Sequence, residues 1–247
     1  MKIVIGWLYP ELMSTYGDRG NIIALVYRGW KRKITVEIKK ITIGDSPSLL
    51  EKVDFLFMGG AQDKQQEIVN ADLQKSKGKV LEKLIISGIP SLFICGAYQF
   101  LGKYYLAADG VKIPSLGIFD LYTVNPGLNK KRLIGDIIIK PKILALKNQL
   151  IVGFENHGGR TYLADKQIAF AEVYKGFGNN GEDKTEGIFY KNAIGTYLHG
   201  PILPKNPHLT DFFLKITLER KYQREIIFEN LDDSLEEKAR ERVINKI

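Results

Sequence analysis

The chain contains very little cysteine and histidine. Among its 247 residues there are one cysteine, Cys95, and three histidines. A lone cysteine excludes an internal disulfide, and such a chain is expected in a reducing, cytoplasmic compartment. The opening residues also lack a signal-peptide pattern, because the apolar run that begins at Ile3 soon meets Pro10 and Glu11.

Long apolar runs are missing as well. A membrane-spanning helix needs roughly 18 consecutive apolar residues, and the best candidate, 84–95, is interrupted by Gly88 and Pro90. The net charge of +8 comes from dispersed lysines and arginines, which are typical of solvated faces, and no nucleic-acid-binding signature accompanies them. We therefore expect neither a transmembrane segment nor a nucleic-acid partner.

The length permits one sizeable core with a small appendage. We expect a domain over 1–222 and a charged tail over 223–247, whose last part has the spacing of a marginal amphipathic helix. Two interpretations of the tail remain open, a frayed surface helix and a docking element.

Strands and helices alternate through the first half of the chain. The pattern predicts strands at 2–8, 34–41, 53–58 and 89–94, with helices at 20–31 and within 62–87. Such alternation favours right-handed βαβ units, and hence an α/β fold with a mainly parallel, flavodoxin-like sheet flanked by helices. In sheets of this kind ligands bind beyond the carboxyl ends of the strands.

The second half has shorter segments bounded by turn residues, which indicates hairpins. The predicted strands here lie at 118–124, 133–139, 150–154, 168–174, 187–190 and 193–198. We expect them to add antiparallel strands to the edge of the sheet, and we expect a helix over 207–220 to cover that edge.

Cys95 lies where a buried strand turns directly into a helix, since the apolar run Ile89–Ile94 precedes it and Gly96 follows. A helix N-terminus can lower the pKa of a cysteine from about 8.5 to roughly 3.5–7.5, and the thiolate is the nucleophile. The position therefore suggests a catalytic thiol. The alternative is a small apolar residue that fills the core, as most free cysteines do.

His199 is the histidine best placed to act as the base for such a thiol. A short apolar strand, 193–198, delivers it to a strand end, as 89–94 does for Cys95. An imidazole can take the thiol proton and return it to a leaving amine. A structural, hydrogen-bonded histidine is the alternative. His157, in a glycine-rich turn, suits a site wall or a turn, and His208 suits the surface.

Acyl transfer also needs hydrogen-bond donors for the oxyanion. The backbone N–H of Gly96, directly after the thiol, is one candidate, and an N–H from the Gly59–Gly60 turn at the neighbouring strand end is the other. A Gly-Gly pair is also common in ordinary loops, so the prediction depends on its combination with the cysteine elbow.

Taken in order, several motifs resemble the class I glutamine amidotransferases of the cobyric acid synthase type. The motifs are Tyr16-Gly17-Asp18-Arg19-Gly20-Asn21, Gly59-Gly60-Ala61-Gln62-Asp63, Cys95-Gly96-Ala97-Tyr98-Gln99-Phe100-Leu101-Gly102, Gly153-Phe154-Glu155-Asn156-His157-Gly158-Gly159-Arg160-Thr161 and Gly195-Thr196-Tyr197-Leu198-His199-Gly200-Pro201. Within that family the chain looks most like the glutaminase subunit of lipid II isoglutaminyl synthase.

The resemblance implies the class I amidotransferase fold and a reaction that uses neither a cofactor nor a metal ion. In that reaction Cys95 attacks the side-chain amide of L-glutamine, ammonia leaves, and water hydrolyses the glutamyl thioester. The resemblance also marks Arg132 as a residue that holds the glutamine, and a guanidinium can grip an α-carboxylate with two hydrogen bonds. The expected site residues are Cys95 and His199 for catalysis, with Arg132, Gly60, Gly96, Gln99 and His157 around the substrate.

Two departures from the family pattern bear on the site. Many members carry an acid two positions after the catalytic histidine, whereas this chain has Pro201 there. His199 would then be oriented by a backbone carbonyl, by a carboxylate elsewhere in the chain, or by an acid from another protein. The elbow around Cys95 also lacks the flanking glycines of a Gly-x-Cys-x-Gly turn.

No phosphate-binding Gly-x-x-x-x-Gly-Lys-Ser/Thr loop is present, although amide synthesis requires an activated carboxylate. We therefore expect a partner that binds ATP and the acceptor. By resemblance this is a Mur-ligase-like (MurT-like) synthetase that amidates the D-glutamate of lipid II to D-isoglutamine. The alternatives are a glutaminase for another amidation, such as that of corrin side chains, a cysteine hydrolase of the same fold, and a non-catalytic binding module.

Overall fold

The structure is a computed structural model, which describes residues 1–61, 63–127, 129–164 and 168–246. Gln62, at the start of the predicted 62–87 helical region, and Ile247, at the end of the tail, lie outside the described residues.

Fourteen strands are formed by the described residues. They are β1 (Lys2–Leu8), β2 (Thr35–Ile41), β3 (Phe55–Met58), β4 (Ser91–Ile94), β5 (Tyr104–Leu106), β6 (Lys112–Pro114), β7 (Leu121–Val124), β8 (Leu133–Pro141), β9 (Ile151–His157), β10 (Arg160–Leu163), β11 (Ala171–Lys175), β12 (Thr185–Glu186), β13 (Ile188–Tyr190) and β14 (Ala193–Thr196).

The described residues also form seven α-helices. They are α1 (Arg19–Lys31), α2 (Asp63–Asp72), α3 (Gly78–Ile86), α4 (Gly96–Phe100), α5 (Ile202–Lys205), α6 (Pro207–Tyr222) and α7 (Ser234–Lys246). A π-helical segment, Leu73–Lys77, joins α2 to α3.

The central sheet has six strands in the order β13-β14-β4-β3-β1-β2. All neighbouring pairs are parallel except β13 with β14, which is antiparallel. Strands β3 and β4 are buried along their whole length, as expected for a sheet that is covered on both faces. The predicted mainly parallel α/β fold is confirmed, and the carboxyl ends of β1, β3, β4 and β14 meet at one rim.

The antiparallel strands are arranged differently from the prediction. The strand predicted at 187–190, β13, extends the edge of the central sheet in the antiparallel direction, as expected. The strand predicted at 193–198, β14, also joins this sheet but is parallel to β4, and the others form two further four-stranded sheets, β10-β7-β5-β6 and β12-β11-β8-β9. The prediction of antiparallel edge strands is therefore confirmed for β13 and wrong for the rest. Strand β8 pairs with both β9 and β11, so these strands form their own core instead of offering an edge to β13.

The final predicted helix covers a face of the central sheet and not its edge. In α6, Phe213 packs edge-on against Phe55 of β3 with ring centroids 5.2 Å apart. The buried Arg28 of α1 joins α6 to the segment before α7 through ion pairs with Asp211, at 2.6 Å, and Asp233. The tail is thus tied to the body of the molecule, and the boundary between 1–222 and 223–247 stays a prediction.

The described part of the chain holds no helix of sufficient length and apolarity to span a membrane.

Candidate active site

Cys95 forms a sharp elbow between β4 and α4. Its backbone has φ 51° and ψ −107°, a conformation that is costly for a residue with a side chain and is typical of nucleophile elbows. The Cys95 N–H donates to the carbonyl of Thr196 at 2.8 Å, which ties the elbow to β14, and the Cys95 carbonyl accepts from the Gln99 N–H. The predicted elbow therefore forms although Phe93 and Ala97 occupy the two glycine positions of a Gly-x-Cys-x-Gly turn.

His199 lies in the loop after β14, and its backbone is held by β9. The His199 N–H donates to the Phe154 carbonyl at 2.7 Å, and the Phe154 N–H donates back at 3.2 Å. The ring is buried, and the ring of Tyr16 meets it edge-on at a centroid distance of 5.0 Å. The parallel pairing of β14 with β4 thus brings His199 to the same rim as Cys95.

Gly60 lies between the cysteine and the histidine. A Cβ built at Gly60 would stand 2.7 Å from Cε1 of His199 and 3.3 Å from Cβ of Cys95. The two predicted catalytic side chains are therefore neighbours, and the turn after β3 packs directly against both of them.

A carboxylate of the same chain pairs with the histidine. Oδ1 of Asp18 lies 3.3 Å from Nδ1 of His199, and both side chains are buried. The other ring nitrogen, Nε2, is buried and makes no hydrogen bond of normal geometry within the described residues. Of the three ways left open for orienting His199, the structure displays a carboxylate from elsewhere in the chain.

The surroundings of His199 favour its protonated form. Burial alone lowers the pKa of this imidazole, but the charge of a Cys95 thiolate and the hydrogen bond with Asp18 outweigh burial and raise the pKa to about 10. A proton taken from the thiol is therefore retained on the ring, which is the arrangement that a thiolate nucleophile requires.

The thiol opens onto a cavity of about 660 Å³. Arg132 lines it, donating from Nε to Oδ1 of Asn156 and from Nη2 to the Asn156 carbonyl, each at 2.9 Å. Asn156 in turn donates to the hydroxyl of Tyr16 at 2.8 Å. The guanidinium is thus held over the cavity, where it can meet the carboxylate of a small substrate.

Gln99 and His157 both line the cavity and share Tyr197 as a support. The Gln99 amide donates to the Tyr197 hydroxyl at 3.1 Å, and the His157 ring stacks on Tyr197 with centroids 3.6 Å apart. Nδ1 of His157 meets the Gly159 carbonyl at 2.7 Å, and burial lowers the pKa of this imidazole. His157 therefore lies in the wall and stabilises its turn, as the sequence suggested.

The expected oxyanion donors have different surroundings. Gly96 follows Cys95 at the start of α4, where a Cβ would overlap the Gln66 amide. The Gly60 N–H, by contrast, donates to Oδ2 of Asp18 at 2.7 Å. In this structure the Gly60 N–H is engaged, so it can serve an oxyanion only when that hydrogen bond opens.

His208 is not a surface residue, as the sequence suggested it would be. Both ring nitrogens are buried, and burial together with the charges of Arg240 and Arg28 lowers the pKa of this histidine to about 4. It faces α7, on which Arg240 lies, and takes no part in the site.

Sequence reasoning missed Asp18, Tyr16 and Asn156 as members of the site. Each stands in one of the motifs that carry the family resemblance, Asp18 directly before α1 and Asn156 beside His157. The available signal for Asp18 was an acid in the loop after β1, a strand whose carboxyl end faces the same rim as those of β3 and β4.

The chain is similar to several known proteins. The family model of the CobB/CobQ-like glutamine amidotransferase domain matches residues 4–207. The chain is 44% identical over 99% of its length to the lipid II isoglutaminyl synthase (glutamine-hydrolyzing) subunit GatD of Staphylococcus aureus strain N315, covering 96% of that protein. It is 38% identical to the GatD subunit of Streptococcus pneumoniae strain R6, over 97% of this chain and 90% of that one.

More distant relatives include a probable cobyric acid synthase of Methanosphaera stadtmanae, 29% identical over 81% of this chain and 38% of that protein. Among solved structures, a glutamine amidotransferase superposes with a TM-score of 0.60 at 14% identity, covering 86% of this chain and 98% of that one. A glutamine amidotransferase of Thermotoga maritima gives a TM-score of 0.55 at 15% identity, covering 98% and 94%. The fold is therefore that of the glutamine amidotransferases, and the chain belongs to the CobB/CobQ-like glutamine amidotransferase family.

Proposed function

We propose that the chain is the glutaminase subunit of a lipid II isoglutaminyl synthase. The observation that carries the chemistry is the Cys95 elbow with the His199 imidazole beside it, opening onto a cavity lined by Arg132. The observation that favours this acceptor is the similarity over nearly the full length of both chains to two subunits of that name.

In the proposed reaction the Cys95 thiolate attacks the side-chain amide carbon of L-glutamine, whose α-carboxylate pairs with Arg132. The carbon–nitrogen bond breaks as His199 gives its proton to the leaving nitrogen, so ammonia departs and a glutamyl thioester remains. Water then attacks the thioester while His199 takes a proton from it. Glutamate and the free thiol are released.

A partner is required for the ammonia to be used, and the word "subunit" in the names of both relatives supports one. We propose a heterodimer with an ATP-binding, Mur-ligase-like synthetase that activates the D-glutamate α-carboxylate of lipid II. A cytoplasmic location fits this role, because the synthetase consumes ATP and the single free cysteine suits a reducing compartment.

The test is to co-purify the chain with its native partner and to assay the complex with ATP, glutamine and lipid II. Formation of amidated lipid II together with glutamate is expected. The glutamine analogue diazo-oxo-norleucine should add covalently to Cys95, and an unmodified Cys95 would contradict the glutaminase assignment. Amidation of a corrin carboxylate instead of lipid II would retain the glutaminase and replace the acceptor.

A further inference from the structure

Asp18 is a fully buried carboxylate whose two oxygens have separate partners. Oδ1 faces Nδ1 of His199 at 3.3 Å, and Oδ2 accepts the Gly60 N–H at 2.7 Å. The carboxylate therefore bridges the histidine and the turn after β3, which packs against Cys95. A buried carboxylate without partners would be costly, so these contacts account for its burial.

The local backbone directs Asp18 toward the site. Asp18 stands immediately before α1, where an Asp side chain commonly caps the helix, yet its carboxylate makes no capping hydrogen bond. The two preceding residues, Tyr16 with φ 54° and Gly17 with φ 81°, adopt left-handed conformations that turn the chain inward. The Thr15 N–H also donates to the Gly60 carbonyl at 3.1 Å, so two hydrogen bonds join this loop to the glycine turn.

We propose that Asp18 is the positioning residue of His199, holding the imidazole so that Nε2 faces Cys95 and stabilising the imidazolium formed when the thiol loses its proton. This inference rests on the proposed glutaminase function. Asp18 thereby takes the place of the acid that many family members carry two residues after the histidine, where this chain has Pro201. A carboxylate on Nδ1 fixes which nitrogen carries the proton and keeps the ring from turning.

The groups that face His199 are few. Within the described residues, Asp18 is the only carboxylate that pairs with its ring, Cys95 is near enough for its charge to act on the ring, and the Tyr16 ring forms a T-shaped pair with it. A basic group also lies near the histidine loop: Nζ of Lys205, in α5, would be 3.1 Å from a Cβ built at Gly200, the residue after His199. Apart from Cys95, the reacting group itself, Asp18 is therefore the group whose removal should most change the charge state of the imidazole. The 3.3 Å separation is long for a charged pair, and catalytic hydrogen bonds often shorten when substrate binds.

The test is Asp18→Asn in the full chain, assayed alone and with the partner. An asparagine oxygen can still accept the Gly60 N–H, but a neutral amide then faces Nδ1. We expect kcat for glutamine hydrolysis to fall by about 10²–10⁴-fold, as when the carboxylate of a catalytic triad is neutralised, with KM changed by no more than a few-fold. Iodoacetamide alkylation of Cys95 should also slow more at pH 6 than at pH 9, because the imidazolium that stabilises the thiolate is lost.

Asp54→Asn is the matched control. The Asp54 carboxylate also accepts a backbone N–H, that of Val4 at 2.8 Å, and pairs with Lys221, but it lies at the amino end of β3, at the opposite end of the strand from the rim. The Asp54→Asn protein should be less stable than the parent, with no change in the pH profile of Cys95 alkylation. A double-mutant cycle with His199→Gln adds a second criterion, since Asp18→Asn should have no further effect on alkylation once the imidazole is gone.

The inference is overturned if Asp18→Asn keeps the parental pH profile and kcat in the complex, since the orienting acid would then come from elsewhere, such as the partner subunit. It is also overturned if the profile shifts equally in the His199→Gln background. Failure of the glutaminase proposal is distinguishable: the parent protein in the complex would then release no ammonia, while alkylation would still report on the pairing of Asp18 with His199.

Discussion

Gly60→Ala should disable the catalytic pair by steric overlap. The added Cβ would stand 2.7 Å from Cε1 of His199, 2.9 Å from Oγ1 of Thr15 and 3.3 Å from Cβ of Cys95. Nonbonded carbons prefer about 3.5–4.0 Å, so the imidazole must retreat by about 1 Å or the turn must move. The turn is held on both sides, by Asp18 at the Gly60 N–H and by Thr15 at its carbonyl.

The size of the effect follows from these contacts. A misplacement of about 1 Å at a reacting group can cost about 10²-fold in rate, and overpacking a buried site costs about 1–3 kcal/mol of stability. We therefore expect kcat for ammonia release to fall by at least about 10²-fold and the free energy of unfolding to fall by a few kcal/mol at most. Both are measured on the purified protein, by coupled glutamate assay and by denaturant unfolding.

Gly110→Ala is the matched control, because it makes the same chemical change in an exposed turn. A Cβ at Gly110 would meet no atom within 4 Å, but the residue has φ 85°, so stability should fall by about 1 kcal/mol while activity per folded molecule is unchanged. A Gly60→Ala protein that folds and retains parental kcat would refute the close packing of this turn on the catalytic pair.

Three further outcomes are expected. Cys95→Ser should abolish ammonia release and labelling by diazo-oxo-norleucine while partner binding, measured by co-purification, persists. Arg132→Ala should raise KM for glutamine by about 10–100-fold, since a hydrogen bond to a charged group contributes about 1.5–3 kcal/mol, and should leave iodoacetamide alkylation of Cys95 unchanged. Burial and two arginines lower the pKa of His208 to about 4, so its contribution to stability is present above pH 6.5 and is lost as pH falls toward 4. In His208→Gln the free energy of unfolding should therefore depend less on pH over that range.

The periodicity of apolar residues and the position of strand ends were sufficient to predict most of the central sheet and to expect Cys95 and His199 at strand ends. Strand β1 was predicted at its observed bounds, and the apolar runs before Cys95 and His199 became the neighbouring strands β4 and β14. These predictions succeeded because buried parallel strands carry a local apolar signal and their carboxyl ends must share one rim.

The division into three sheets could not be predicted in the same way. Whether β8 pairs with β9 and β11 or joins the central sheet depends on contacts between residues far apart in sequence, and turn residues specify only that a reversal occurs. The same limit applies to Asp18. Its role depends on left-handed backbone at Tyr16 and Gly17, and a non-glycine residue such as Tyr16 gives little sequence signal for that conformation.

Pro201, which stands where the family pattern has an acid, also helps to position Asp18. A Cβ at Gly20 would overlap the Pro201 ring, so the loop that carries His199 packs closely against the first turn of α1. That contact fixes α1 relative to the histidine loop, and Asp18 is the residue directly before α1. An acid at position 201 would point a charge into this contact and would lack the rigid ring that packs there. Pro201 and the carboxylate beside Nδ1 of His199 therefore both belong to one packing arrangement between the histidine loop and the start of α1.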